Sequence, residues 1–133
     1  MPAGARLSRT DRRVRGATAA AAVCASLSVA ACGALPPQAP VAAASLVSRA
    51  LSTIASSCGE SYRLQEFTPH PDLTGLEKTA GESARTLAGI SARHPQWVYQ
   101  GATLSQIDTL SIQDLDGCSL PHAAAILRRT GQR

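Results

Sequence analysis

Before any fold can be considered, residues 1–31 have to be set apart from the rest of the chain. Residues 1–16 carry Arg6, Arg9, Arg12, Arg13 and Arg15 against Asp11 alone. Residues 17–31, ATAAAAVCASLSVAA, are uncharged and apolar and end in two small residues. A basic n-region, an apolar h-region and a small-residue cleavage site, in that order, mark a secretory signal peptide. A spanning helix needs about 20 strongly apolar residues. This run has fifteen, eight of them alanine, so the leader 1–31 is expected to be removed and not kept as a membrane span. Its five arginines and one aspartate also account for the whole formal charge of +4. From Cys32 onward eight basic residues meet eight acidic ones. The mature part is neutral, and no Lys/Arg stripe tracks phosphates, so nucleic acid is not an expected partner.

At the seam stands VAAC: Val29, Ala30, Ala31, Cys32. The tetrapeptide, after such a leader, resembles the lipobox of bacterial lipoproteins. The resemblance covers residues 1–32 only. It implies that the Cys32 thiol receives a diacylglyceryl group, that cleavage falls just before it, and that Cys32 opens the mature protein with palmitate-like chains on sulfur and amine. Two or three acyl chains, at about 0.8 kcal/mol per buried methylene, anchor stably where one does not. Cys24, in AAVC, has valine where the small residue belongs and too little apolar sequence before it. The pair Arg12 and Arg13 lacks the following apolar residues of a twin-arginine signal. The resemblance thus places the chain on the extracytoplasmic face of the cell membrane, with membrane lipid as the partner of acylated Cys32.

Residues 32–40 hold three prolines, Pro36, Pro37 and Pro40, which fix φ and withhold N–H donors, so the segment is expected to be an extended tether. Residues 41–133 form the domain. Over 41–57 the spacing of Val47, Leu51, Ile54 and Cys58 predicts one apolar helical face, with Gly59 as its stop. Residues 60–71 read as a loop. TGLE, from Thr74 to Glu77, has the form of a capping box. The stripe Leu73, Leu76, Ala80, Ala84, Leu87, Ile90 then predicts a second helix, ended by RHP at Arg93 to Pro95. QWVYQGA is irregular or briefly extended. TLSQ, from Thr103 to Gln106, is a second capping box. It favours a helix over 103–115, yet Leu110 and Ile112 alternate with polar residues as in a strand, and helix against strand stays open here. DG at Asp116 and Gly117 turns the chain, and Pro121 suits the start of a last helix faced by Leu120, Ala123, Ala124 and Leu127. The expected fold is all-α: a small up-and-down bundle of about four short helices.

With Cys32 lipidated and Cys24 removed with the leader, Cys58 and Cys118 remain as a pair in an oxidising compartment. A disulfide between them is expected. No Cys-x-x-Cys motif suggests redox chemistry. His70, His94 and His122 lie far apart and each beside a proline, the mark of surface turns; no metal site is expected from them. DLDG at Asp114 to Gly117 fails the calcium-loop pattern at Ile112 and Ala123. No nucleophile elbow, zinc helix or phosphate loop occurs, so an enzyme is not expected and no cofactor is implied. Trp97 and Tyr99, two residues apart, offer either a cap for the open end of the bundle or a binding surface. The functional expectation is a membrane-anchored lipoprotein acting as a non-enzymatic binding or envelope-assembly module; an exposed apolar groove lined by Leu76, Leu87 and Trp97 would favour it. The alternative is a small-ligand or metal carrier, which convergent histidines would favour.

Overall fold

A computed structural model describes residues 36–131. The expected leader 1–31, with Cys24, and the expected lipidation site Cys32 lie outside the described residues. Among those described are four helices: α1 (Val41–Phe67), α2 (Thr74–Arg93), α3 (Leu104–Gly117) and α4 (Pro121–Gly131), with a short hairpin, β1 (Val98–Tyr99) and β2 (Ala102–Thr103), between α2 and α3. Helices α1 and α3 run one way, α2 and α4 the other. The fold is the small all-α bundle that the periodicities predict.

The core is shallow because few large side chains exist to fill it. Its fully buried members are Leu87, Leu104, Leu115, Leu120, Leu127 and Val47, completed by alanines. Helix α2 packs broadly on both α1 and α4, and α4 packs on α3, whereas α1 and α3 meet along a much narrower seam. At Gly81 a Cβ would stand 3.5 Å from Ile126 Cδ1. That is ordinary van der Waals distance, so an alanine would fit against α4 at this position.

Three expectations need correction. First, α1 does not stop at Gly59; it continues through the expected loop to Phe67, a helix of 27 residues. Gly59 keeps helical geometry at a cost of about 1 kcal/mol relative to alanine, and the extra turns are held by polar contacts that periodicity cannot reveal. Ser61 Oγ donates to the Cys118 carbonyl at 2.5 Å, and Gln65 Nε2 donates to the same carbonyl at 3.3 Å. The real stop is Thr68, extended at φ −135° and ψ 124° because it precedes Pro69.

Second, TGLE does not close a capping box on its own helix. Leu73 is the N-cap and makes no side-chain cap bond; Asp72 Oδ1 accepts from the Thr74 N–H at 3.0 Å instead. Glu77 turns to α4, where its carboxylate accepts from the His122 and Ala123 N–H groups, both at 3.2 Å. One helix thereby caps another's N-terminus, where free N–H groups and the helix dipole favour an anion.

Third, the proline segment is extended as expected, but its described part is docked. Val98 N–H donates to the Pro37 carbonyl at 2.9 Å and Ala39 N–H to the Val98 carbonyl at 2.8 Å, a parallel bridge of Gln38 with Val98.

The hairpin and α3 follow local rules. Val98 pairs with Thr103 and Tyr99 with Ala102, across Gln100 at φ 50° and Gly101 at φ 84°; positive φ at both central residues is what a type I′ turn demands. Thr103 Oγ1 accepts from Gln106 N–H at 3.2 Å, and Gln106 Oε1 accepts from Thr103 N–H at 2.9 Å. This complete capping box starts α3, so residues 104–117 are helix and not strand. Ser111 faces the core while Leu110 remains 55% exposed.

The expected disulfide is present. Cys58 and Cys118 are joined with Cα atoms 5.2 Å apart and a sequence separation of 60. It sits at the end of the bundle opposite the hairpin.

Candidate functional site

The narrow seam between α1 and α3 leaves a groove. Its walls follow from the helical repeat: Leu51, Ala55 and Tyr62 line it from α1, Ile107 and Leu110 from α3, and Cys58 lies at its floor. Its volume is about 600 Å³ and its lining is mainly apolar, with Asp114 the one charged residue. Tyr62 is 56% exposed, so its ring forms a wall and not core. This groove shares no residue with the Leu76, Leu87 and Trp97 surface that would favour a binding module. Leu87 is fully buried and Leu76 is half-buried, and they do not combine with Trp97 into an open surface. The signal missed was the continuation of α1, which places Tyr62 on the same face as Leu51 and Ala55.

At the hairpin end, Trp97 and Tyr99 are half-buried and packed against the core. The His94 ring stacks on Trp97 with centroids 3.6 Å apart and planes 8° from parallel. The Trp97 backbone N–H donates to His94 O at 3.2 Å, and its carbonyl accepts from Leu104 N–H at 2.8 Å. Both aromatics therefore close this end of the bundle, each half-buried.

His70 lies in the exposed linker after α1 and His122 in the exposed first turn of α4, both away from the hairpin end that holds His94. Among the described residues no group of three or more His, Cys, Asp or Glu side chains is placed to hold a metal ion. The DLDG segment forms the last turn of α3, and Asp116 pairs with Arg128 across to α4.

One buried ionisable group escaped the sequence reading. Asp108, 7% exposed, sits on the core face of α3, one turn after Leu104. Ser91 Oγ donates to its Oδ2 at 2.5 Å, while Oδ1 has no partner. Burial pushes its pKa up to about 6, against the opposing effect of the Ser91 hydrogen bond. Ser91 is 3% exposed, so the pair joins α2 to α3 inside the bundle and presents no face to a substrate. A polar residue interrupting the stripe Leu104, Ile107, Ser111, Leu115 was the available clue.

Compared with known proteins, the chain matches no family model, no curated protein and no solved structure. By length and composition alone α1 is apolar enough to cross a membrane, with 28% of its most apolar window buried in the bundle. Its inward face, Val47, Ala50, Ile54, Ser57, Cys58 and Ser61, belongs to the core.

Proposed function

We propose that this protein is an extracytoplasmic lipoprotein, anchored by acyl chains on Cys32, that serves as a non-enzymatic binding or envelope-assembly module. The observation that carries the reading is the coincidence of VAAC behind a basic, apolar leader with a disulfide between Cys58 and Cys118, the two cysteines downstream of the lipobox. Disulfides persist in oxidising compartments, which is where such a leader delivers a chain. The α1/α3 groove supports the binding role, being apolar, open and rimmed by exposed Tyr62 and Leu110. A partner of the envelope presenting an apolar segment fits it.

The test of the anchor is Cys32→Ala in the bacterial host. The variant accumulates unprocessed or leaves the membrane fraction, and loses acyl label; membrane association and labelling equal to the parent's reject the anchor. The binding role is tested by photo-crosslinking groups placed at Leu110 and Tyr62 in intact cells. One discrete adduct that disappears when Ala55 is replaced by a bulky charged residue supports it, and the absence of any adduct counts against it.

A further inference from the structure

We propose that the hairpin end of the bundle is a docking face for an anionic bilayer surface, so that the anchored domain stands on the membrane with its long axis upright. The inference rests on the anchored reading of Cys32 and adds to it an orientation, a contact surface and a lipid charge.

Chain reach comes first. Pro37 is pinned to Val98 by a backbone hydrogen bond, and Cys32 stands five residues before it in the sequence. Five residues span at most about 18 Å even when fully extended. A domain held on so short a lead, attached at its hairpin end, keeps that end near the headgroups and carries the disulfide end away from them.

Charge gives the second argument. Residues 36–49 and 92–107, which build the hairpin end, contain Arg49, Arg93 and His94 and not one carboxylate. Neither arginine is in an ion pair with a described residue. The carboxylates of the described domain collect elsewhere: Glu60 and Glu66 late in α1, Asp72 before α2, Glu77 and Glu82 in its first half, Asp114 and Asp116 late in α3. Asp108, the exception by position, is buried. The part from Cys32 onward, neutral in sum, is therefore polarised along the bundle, with the carboxylate-free end toward the anchor. Anionic lipid attracts such an end at about 1 kcal/mol per basic residue close to the surface.

Surface chemistry gives the third. Val41, at the first position of α1, is 88% exposed and has no neighbour to cover it. Pro37, Pro40 and Pro95 are exposed as well. Trp97 and Tyr99, half-buried, lie at the same end, and amphipathic aromatic rings favour the headgroup level of a bilayer.

Trp97 is the only tryptophan of the chain and reports on its own surroundings. The full acylated protein is reconstituted in two kinds of vesicle, one of phosphatidylcholine alone and one of equal parts phosphatidylcholine and phosphatidylglycerol. Each contains phosphatidylcholine bearing a nitroxide quencher near the glycerol. Mass spectrometry of the N-terminal peptide establishes acylation of Cys32 beforehand. Trp97 is expected to be quenched strongly in the anionic vesicles and less in the neutral ones. In the Arg49→Glu/Arg93→Glu variant the ratio of docked to undocked protein falls by roughly tenfold or more. Val41→Asp weakens quenching without unfolding, as circular dichroism checks, whereas Glu66→Gln at the other end leaves it unchanged. Quenching that ignores both lipid charge and the arginine reversal overturns the proposal. So does an unquenched Trp97 on acylated protein, an outcome that leaves the anchor standing and gives this end to a protein partner. If Cys32 carries no lipid, the anchored reading fails by itself, and the same quenching measured on the unacylated full chain with anionic vesicles decides the docking face alone.

Discussion

The two ends of the bundle are built by different kinds of interaction. At the hairpin end neighbours in sequence do most of the work: Gln100 and Gly101 make the turn, Thr103 and Gln106 cap α3, and His94 stacks on Trp97 three residues later. At the disulfide end the partners are distant. Cys58 is joined to Cys118, Ser61 donates to the Cys118 carbonyl, and Glu77 caps α4. The polar contacts at that end gather the end of α1, the start of α2 and the α3–α4 connection into one knot. A domain with few large apolar side chains cannot hold such a junction by burial alone. Chain closure and hydrogen bonding take a larger share of it.

Breaking the knot therefore has the largest expected effect. The crosslink closes a loop with a sequence separation of 60, worth roughly 4 kcal/mol in the chain-entropy model, a large part of what a small domain possesses. Reduction, or the Cys58→Ala/Cys118→Ala variant, should lower the urea midpoint sharply. It should also release α1 beyond Gly59 to amide exchange before the hairpin end. Equal protection of both ends after reduction would abolish the distinction between them.

The next test concerns Asp108, near the hairpin end of α3. Its pKa rises from 3.8 to about 6 on folding, so the folded state holds the proton more tightly than the unfolded one. The stability linked to that proton is fully present below about pH 4 and is lost as pH rises through about 6. Asn at this position does not titrate. Between about pH 4 and pH 8, the stability of Asp108→Asn relative to the parent should move by up to about 3 kcal/mol in favour of the variant. Denaturation midpoints at several pH values measure this difference directly, and a difference independent of pH would mean that Asp108 is not buried as described. Glu60 and Asp72 titrate in the opposite sense. Arg63 holds Glu60 below the ordinary carboxylate range, and the hydrogen bonds of Thr74 do the same for Asp72. Both are common to parent and variant and cancel.

Two caps of similar strength sharpen the comparison. Thr103→Ala removes the local capping box and Glu77→Gln weakens the long-range one, each at about 1 kcal/mol. Their ranges should differ. Exchange should quicken in the first turn of α3 alone for Thr103→Ala, but in α4 and the start of α2 together for Glu77→Gln. The same exchange pattern for both would show that Glu77 does not couple the helices.

This contrast also explains what could be read from residues alone. The all-α bundle, the helix stripes, the disulfide and the Thr103 cap were legible, because apolar spacing, the two cysteines left after the expected leader and Cys32, and adjacent side chains encode them. The continuation of α1 was not, since Ser61 and Gln65 are held by a carbonyl more than fifty residues away and carry no hydrophobic period. TGLE misled for a related reason: Glu77 has the spacing of a local cap, but the unsatisfied N–H groups of α4 lie within its reach. The groove followed from neither, since it is the gap left where α1 and α3 fail to meet, and a gap depends on the packing of all four helices.

The smallest expected effect lies in the hairpin turn. Gln100 holds φ 50°, a conformation that a straight-chain residue adopts at some expense and asparagine adopts readily. Asn-Gly is the preferred pair for a type I′ turn. Gln100→Asn should thus raise stability by about 0.5 kcal/mol, a shift of a few degrees at most for a domain of this size. The turn lies outside the core and Gln100 is exposed, so no packing change competes with the backbone term. The emission of Trp97 should stay as in the parent, because the register of Val98 with Thr103 is kept. A variant that melts lower than the parent would place the stability of the hairpin in the docked Pro37–Ala39 strand and not in its turn, and the hairpin end would then depend on distant partners as much as the disulfide end does.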